Sequence, residues 1–419
     1  MEMYAEILLI AIPSFLVLVL IEIAYGVWKK EQTYSLMDTL SSLSSGMTNI
    51  LKDVFGIGLI IISYPLLKDS IELIEINESI FLYFIAFLCI DFASYWNHRL
   101  NHSINVFWNR HVVHHSSEEF NLACALRQSI SSLIGFGALF LLPAALLGIP
   151  HKVIIVLAPL HLFGQFWYHT KHIGKLGWLE YILVTPSQHR VHHAINPEYI
   201  DKNLSAIFCI WDRLFGTFQE ELEEVPCVYG TLKPVQTWNP ILINFQHNWG
   251  LAKDAWYAKK WSDKLKLWFM PTGWRPADVA ERFPRPVVDN VYQQLKYAPD
   301  YKLMHKLIAL FHFIGLNSFI GLFLISFGDL HISSQVAYGI LIFTTIFGFT
   351  SLMDGHKWAC VFEITRSLLG LFIMIHPFQR RVWEVDFSFA LGTTVYFFLS
   401  FCFTLWMYQS LPNRLRITS

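Results

Sequence analysis

Residues 91–102 read Asp-Phe-Ala-Ser-Tyr-Trp-Asn-His-Arg-Leu-Asn-His and close an apolar run that begins at Ile80. Asp91, Tyr95, His98 and His102 are spaced four, three and four, so a helix carries a carboxylate, a phenol and two imidazoles down one face to its end. Polar groups at the edge of an apolar segment need partners. A single histidine there reads as a ring snorkelling at a helix end. A pair at HxxxH spacing reads as two metal ligands, with Asp91 or Tyr95 orienting a ligand ring.

Two further clusters turn that pair into a site. His111-Val112-Val113-His114-His115 is followed by Ser116-Ser117-Glu118-Glu119, and Gln188 precedes His189-Arg190-Val191-His192-His193. Neutral imidazole is among the commonest metal donors, and in each HxxHH the first histidine shares a helix face with the following pair. One ion cannot use eight histidines. Two ions with open positions left for water, dioxygen or substrate are the simplest reading, hence a dinuclear site. Glu118, Glu119, Asn121 and Asn196 lie close enough in sequence to hydrogen-bond ligand N–H groups, although a solvated face explains the glutamates equally well. His169, one turn after Gln165, is a candidate further ligand. His161, His305, His312, His331 and His376 read as packing or interfacial residues. Glu363 and Arg366, three apart in an apolar segment, are either a closed ion pair or the lining of a cofactor pocket.

The 419 residues are 54% hydrophobic and only 15% charged, with mean hydropathy +0.41, well below the roughly 25% charged residues of soluble domains. The chain is expected to be an all-α, polytopic membrane bundle. A formal net charge of -1 gives no field for nucleic acid. The six cysteines are scattered without a CxxC, which argues against a disulfide framework or thiolate metal site. The first apolar run lacks a basic stretch before it and a small-residue cleavage site after it, as expected of a retained helix rather than a signal peptide.

Segments able to cross about 30 Å of hydrocarbon are Ala5–Trp28, Gly46–Leu67, Ile80–Leu100, Ile130–Ile149, Val153–His169, Leu303–Phe327, Val336–Met353, Trp358–Ile375 and Phe387–Tyr408, about nine spans. Lys29, Lys30, Arg99, Arg110 and the basic residues from Lys171 to Lys306 mark cytoplasmic loops, with Arg380 and Arg381 on the opposite side. The site is then on the cytoplasmic face of a bacterial inner membrane, or of the endoplasmic reticulum in a eukaryote. The layout reads as 1–79 N-terminal spans, 80–300 a catalytic domain with a helical cytoplasmic cap, and 301–419 a C-terminal membrane module. Within the cap, Ala255–Trp274 interleaves four tryptophans with four lysines, the composition of an interfacial amphipathic helix or, equally, of a solvated helix packed on the cap.

Imidazole and oxygen donors without thiolate suit iron or zinc. Two irons can activate dioxygen to attack an unactivated C–H bond of a lipid, and that chemistry consumes two electrons per turnover. With no CxxCH, GxGxxG or P-loop in the chain, the reductant is expected to be external. A zinc transporter or sensor, or a zinc lipid hydrolase using Glu118 or Glu119 as base, are the readings from other classes.

With those residues in hand, the chain resembles the fatty acid hydroxylase/sterol desaturase superfamily of integral-membrane di-iron oxygenases, and within it the alkylglycerol monooxygenases. DFASYWNHRLNH (91–102), HVVHHSSEEFNLACALRQS (111–129), FWYHT (166–170), TPSQHRVHH (185–193) and IDKNLSAIFCIWDRLFGTF (200–218) carry the likeness, together with MPTGWRP from Met270. The resemblance implies iron ligation by His98, His102, His111, His114, His115, His189, His192 and His193, with His169 matching a further family histidine. It implies hydroxylation beside the ether oxygen of an alkylglycerol with dioxygen and tetrahydrobiopterin or another external donor, releasing a fatty aldehyde. A sterol or acyl hydroxylase or desaturase of the same superfamily is the rival. One departure stands out: where the alkylglycerol enzymes have glutamate after the second histidine of HxxxH, this chain has Ser103, so that either Glu118 or Glu119 compensates or the chain uses another reductant or substrate.

Overall fold

The computed structural model describes residues 2–57, 59–60, 62–74, 76–132, 134–135, 137–299, 302–376 and 387–410. Among these the regular elements are helices, joined by loops, apart from a two-residue parallel pairing of Leu59–Ile60 with Ile134–Gly135 and three isolated bridges. Arg380 and Arg381 lie outside the described residues.

In the first half, α1 (Glu2–Lys29), α2 (Leu36–Val54), α3 (Tyr64–Ile71), α4 (Ile80–Ser103) and α5 (Asn105–His115) are followed by α6 (Leu142–Leu146) and α7 (His151–Phe163). The Ser79 hydroxyl caps α4, accepting the Leu82 N–H at 3.2 Å. At about 1.5 Å per residue the 24 residues of α4 reach about 36 Å, enough to cross a bilayer. Ile104, in extended conformation (φ -122°, ψ 127°), then separates α4 from α5 and redirects the chain.

Six helices among the described residues are long and apolar enough to span, rather than nine. Three expected segments fail for local reasons. Gly46–Leu67 is interrupted where α2 ends at Val54 and Gly56 takes φ +59°; moreover α2 buries a polar row that includes Asp38, Ser41, Ser42 and Ser45. Among the described residues of Ile130–Ile149 the only α-helix is the five-residue α6, stopped before Gly148 at φ +63°. α7 ends at Phe163, so its 13 residues cover about 20 Å. Tyr64, α6 and α7 instead pack on Leu82, Ala86, Cys89 and Ile90 of α4.

The segment from Lys171 to Pro299 contains no candidate span. It holds α8 (Pro186–His193), α9 (Ile210–Phe215), α10 (Pro240–Tyr257), α11 (Trp261–Lys266) and α12 (Ala277–Arg282). The continuous amphipathic helix expected over Ala255–Trp274 does not form. Lys260, extended, precedes a six-residue α11, and Leu267, fully buried, presents its carbonyl to the Asn105 side chain, while the Val106 and Asn105 N–H groups bond Trp268 and Met270. The segment is a strap over the start of α5; Trp256 and Trp261 still project outward.

Four long helices follow among the described residues: α13 (Leu303–Ser326), α14 (Ile332–Met353), α15 (Lys357–Ile375) and α16 (Phe387–Ser410). Phe319, Phe323, Ile342 and Ile346 join Met37, Leu40 and Met47 of α2 in one core. Close helix contacts there depend on glycine: a Cβ on Gly348 would collide with Glu363 Oε2.

Candidate metal centre

α5 and α8 carry the two HxxHH runs, and the ends of both are fixed by neighbours. The Thr185 hydroxyl accepts the Gln188 N–H, and Pro186 occupies the first turn of α8. All eight residues of α8 are buried. Its Arg190 is held by Glu221 through two bonds, Nε–Oε1 2.8 Å and Nη2–Oε2 2.7 Å, with Nη1 donating to the Thr170 and Ile173 carbonyls. α8 is thereby locked in depth and rotation against the loop that carries His169.

The histidines form two groups. His98, His102, His111, His115 and His192 make one, and His114, His169, His189 and His193 the other; within each, one ring nitrogen per residue lies within 4.8 Å of the rest. The i and i+4 histidines of each run stay together, as one helix face requires. The middle histidine crosses: His114 leaves the α5 pair for the second group, and His192 leaves the α8 pair for the first. The His115 and His193 rings stack at 4.4 Å between centroids, joining the two groups.

The tautomers fit metal binding. Carbonyls only accept, so His98 Nδ1–H donates to Leu204 O (2.8 Å), His192 Nδ1–H to Lys202 O (3.1 Å) and His169 Nδ1–H to Gln165 O (3.1 Å). His102 Nδ1 lies 3.0 Å from Asp201 Oδ1. These bonds turn Nε2 lone pairs inward, where His98 and His111 Nε2 stand 2.8 Å apart, His169 and His189 Nε2 2.8 Å, and His193 Nε2 3.0 Å from both His114 and His189. Nitrogens about 2.1 Å from a common ion are separated by about 3.0 Å in cis-octahedral or 3.4 Å in tetrahedral geometry. Nε2 of His102, His115 and His192 is buried without a hydrogen-bond partner. Burial holds His111, His114, His115, His189, His192 and His193 well below the usual imidazole range and His169 down to about 4, so these rings are neutral donors. The donor set suits two ions such as iron or zinc.

The other sequence candidates sit elsewhere. Asp91, fully buried, accepts from His161 Nε2 (2.7 Å), the Ile207 and Phe208 N–H groups (2.9 and 3.0 Å) and Trp211 Nε1 (2.8 Å). It pins the 203–211 loop to α4 and α7 instead of orienting a ligand ring. Tyr95 shares hydrogen bonds with Thr217 and Arg99. Glu118 accepts from Tyr297 N and Gln294, and Glu119 pairs with Lys296 at 2.7 Å. Asn121 caps the 122–126 turn, and Asn196 bonds Pro226 and Val228. None of these side chains bonds a ligand imidazole. Glu363 and Arg366 close on each other, Nε–Oε2 2.9 Å and Nη2–Oε1 2.5 Å, with Ser400, Thr345 and Tyr396 completing the set. They are a satisfied intramembrane pair and line neither described cavity.

What sequence reasoning missed is the loop from Asp201. Asp201, Lys202 and Leu204 supply the Nδ1 acceptors for three of the five histidines of the first group, and Asp212 fixes this loop by accepting the Leu204 and Ser205 N–H groups. Asp201 and Asn203 adopt φ +56° and +52°, a conformation Asp and Asn tolerate better than most residues, and that pairing was a usable signal. Ser103 Oγ only bonds Arg99 O; the carboxylate beside the HxxxH motif is Asp201.

A cavity of about 400 Å³ opens against the first group, lined by His102, His115 and His192, with Trp108, Ile195 and Ile243 among its apolar walls. That volume is in the range of small-molecule sites.

The fatty acid hydroxylase family model matches residues 83–217, which contain every one of the nine histidines. The chain is similar to alkylglycerol monooxygenase of Xenopus tropicalis, 35% identical over 389 residues (89% of this chain, 84% of the relative), and to those of Homo sapiens, 32% over 408 (96% and 89%), and Danio rerio, 34% over 417 (96% and 89%). No solved structure matches it. With the histidine geometry and relatives aligned along nearly their whole length, the chain belongs to the alkylglycerol monooxygenase group of the fatty acid hydroxylase family.

Proposed function

We propose that this protein is a membrane monooxygenase that cleaves the ether bond of alkylglycerols, with His98, His102, His111, His115 and His192 holding one iron and His114, His169, His189 and His193 a second. The observation that carries the reading is the sorting of nine buried or half-buried histidines into two convergent groups beside a largely apolar cavity. Bound there, two irons supply the activation of dioxygen.

The chain's own residues prepare the rest. Trp108, Ile195 and Ile243 exclude water and hold the alkyl chain so that its ether-linked carbon faces His102, His115 and His192. Leu204 O, Lys202 O and Asp201 keep three rings in the donor tautomer. The overall change balances as one dioxygen, two electrons and two protons consumed, one oxygen inserted into the C–H bond beside the ether and one released as water; the resulting hemiacetal breaks its C–O bond to give a fatty aldehyde and glycerol. The electrons come from an external donor, for which tetrahydrobiopterin is the candidate that the family resemblance suggests. Placement of the centre on the cytoplasmic side rests on the basic residues between Lys171 and Lys306.

A zinc hydrolase would need a free carboxylate near the metals, and Glu118 and Glu119 are both engaged elsewhere. Incubation with an alkylglycerol under ¹⁸O₂ tests the proposal: label in the aldehyde before exchange, trapped by reduction, supports it, and unlabelled fatty alcohol or acid contradicts it.

A further inference from the structure

The wall of the cavity contributed by the cap is cationic, and the ether-cleavage chemistry has no use for that charge. Lys233, Arg275 and Arg285 line it, while Asp254 is the carboxylate that answers them. Asp254 accepts from both guanidinium groups, a two-pronged contact from Arg275 (Nε to Oδ2 at 2.8 Å, Nη2 to Oδ1 at 3.0 Å) and a bond from Arg285 Nη2 to the shared Oδ1 at 2.6 Å. No described residue forms an ion pair or hydrogen bond with the Lys233 ammonium, and burial beside Arg285 lowers it to about 8. Three cations against one carboxylate leave an excess of two positive charges on this wall. His247, neutral because burial holds it at about 4 and bonded to Asn105 O at 2.8 Å, adds no charge. Across the cavity stand His102, His115 and His192, with Asp201 engaged by His102 on that side.

We propose that Lys233, with Arg285 and Arg275, binds a phosphate ester carried by the lipid, so that the preferred substrate is an alkyl glycerophosphate whose alkyl chain lies along the apolar wall beneath the histidines. An ammonium and two guanidinium groups match the size and charge of a phosphate, and the Asp254 clamp holds both guanidinium groups in place before the ligand arrives. The inference rests on the cavity being the substrate site of the proposed reaction. A phosphate ester on a soluble reductant would use the same chemistry, so the two sources must be told apart.

The experiment is equilibrium binding to the purified full chain in neutral detergent, by tryptophan fluorescence, of three probes: a short-chain alkyl glycerophosphate, the matching neutral alkylglycerol, and glycerol 3-phosphate. Tighter binding of the first than of the other two by about tenfold or more is expected, and Lys233→Gln should cut that preference at least about tenfold, with Lys233→Arg restoring most of it. Lys233 is half-buried and bonded to nothing through its ammonium, so these variants fold. Lys264→Gln, outside the cavity, is the control and should keep the preference. Equal binding of phosphorylated and neutral lipid, or an equal loss of both in Lys233→Gln, overturns the proposal. Binding of glycerol 3-phosphate as tight as that of the lipid also overturns it, by assigning the wall to a soluble phosphate ester. Because binding is read without turnover, an inactive protein that shows the preference would contradict the oxygenase reading and leave the phosphate site standing.

Discussion

Asp201 offers the sharpest test of how the first histidine group is held. Its Oδ1 lies 3.0 Å from His102 Nδ1, while His98 and His192 rest on backbone carbonyls that substitution cannot remove. Loss of a carboxylate partner to a ligand histidine weakens metal binding about 10- to 100-fold. Asp201 is 58% exposed, so water can replace part of the bond, which puts Asp201→Ala near the lower limit, about tenfold or 1.4 kcal/mol. Asp201→Asn keeps an acceptor but loses the charge, and a weakening of about threefold to tenfold is expected. Competition with a graded chelator, read as metal per chain by mass spectrometry, measures both variants. The expected loss is confined to one of two ions, since the second group has no contact with Asp201. Unaltered affinity in Asp201→Ala, or equal loss of both ions, would refute the assignment of Asp201 as the group orienting His102.

Other expectations are as direct. His169→Ala should remove about one metal equivalent and leave the other, although His169 belongs to none of the three histidine motifs; full metal retention by elemental analysis would exclude it from the centre. Gly348→Ala drives a methyl group into Glu363 Oε2, and because a buried pair that loses its geometry costs about 3–5 kcal/mol, a clear drop in thermal stability in detergent is expected, against no change if the helices simply part. Binding of alkyl glycerophosphate should weaken as pH rises through about 8, where Lys233 loses its proton. The charged and titratable groups that face it are Arg285, Arg275, Lys253, Asp254 and Asp201, with His247 held neutral by burial at about 4. A pH-independent affinity between about 7 and 9 would remove Lys233 from the site.

The motifs made the convergence of the histidines legible, because i, i+3 and i+4 spacing is a property of one helix. Which histidine joins which group was not legible. That depends on how α4, α5 and α8 face one another, and only the assembled structure shows His114 and His192 exchanged between the pairs. Asp91 was misassigned for a similar reason: it shares a face with His98 but stands seven residues, about 10 Å, farther up the helix, within reach of His161 on α7 and beyond reach of the ligand rings. The helix carrying His111–His115 stops there, so Glu118 and Glu119 turn away towards Gln294, Tyr297 and Lys296. The fold class was plain from hydropathy, and six of the nine expected spans formed among the described residues. The remainder were apolar without forming helices long enough to span, a distinction set by Gly56, Gly148 and the end of α7 at Phe163. Glu363 and Arg366 read as a candidate cofactor site only while their mutual closure was invisible.

The most direct test is iron stoichiometry combined with product analysis on one preparation supplied with an alkylglycerol, dioxygen and tetrahydrobiopterin. The account predicts about two irons per chain and one fatty aldehyde formed per dioxygen consumed. A chain from iron-replete cells that holds zinc alone, or that holds two irons and yields no aldehyde from neutral or phosphorylated alkylglycerols with any reductant, would contradict it.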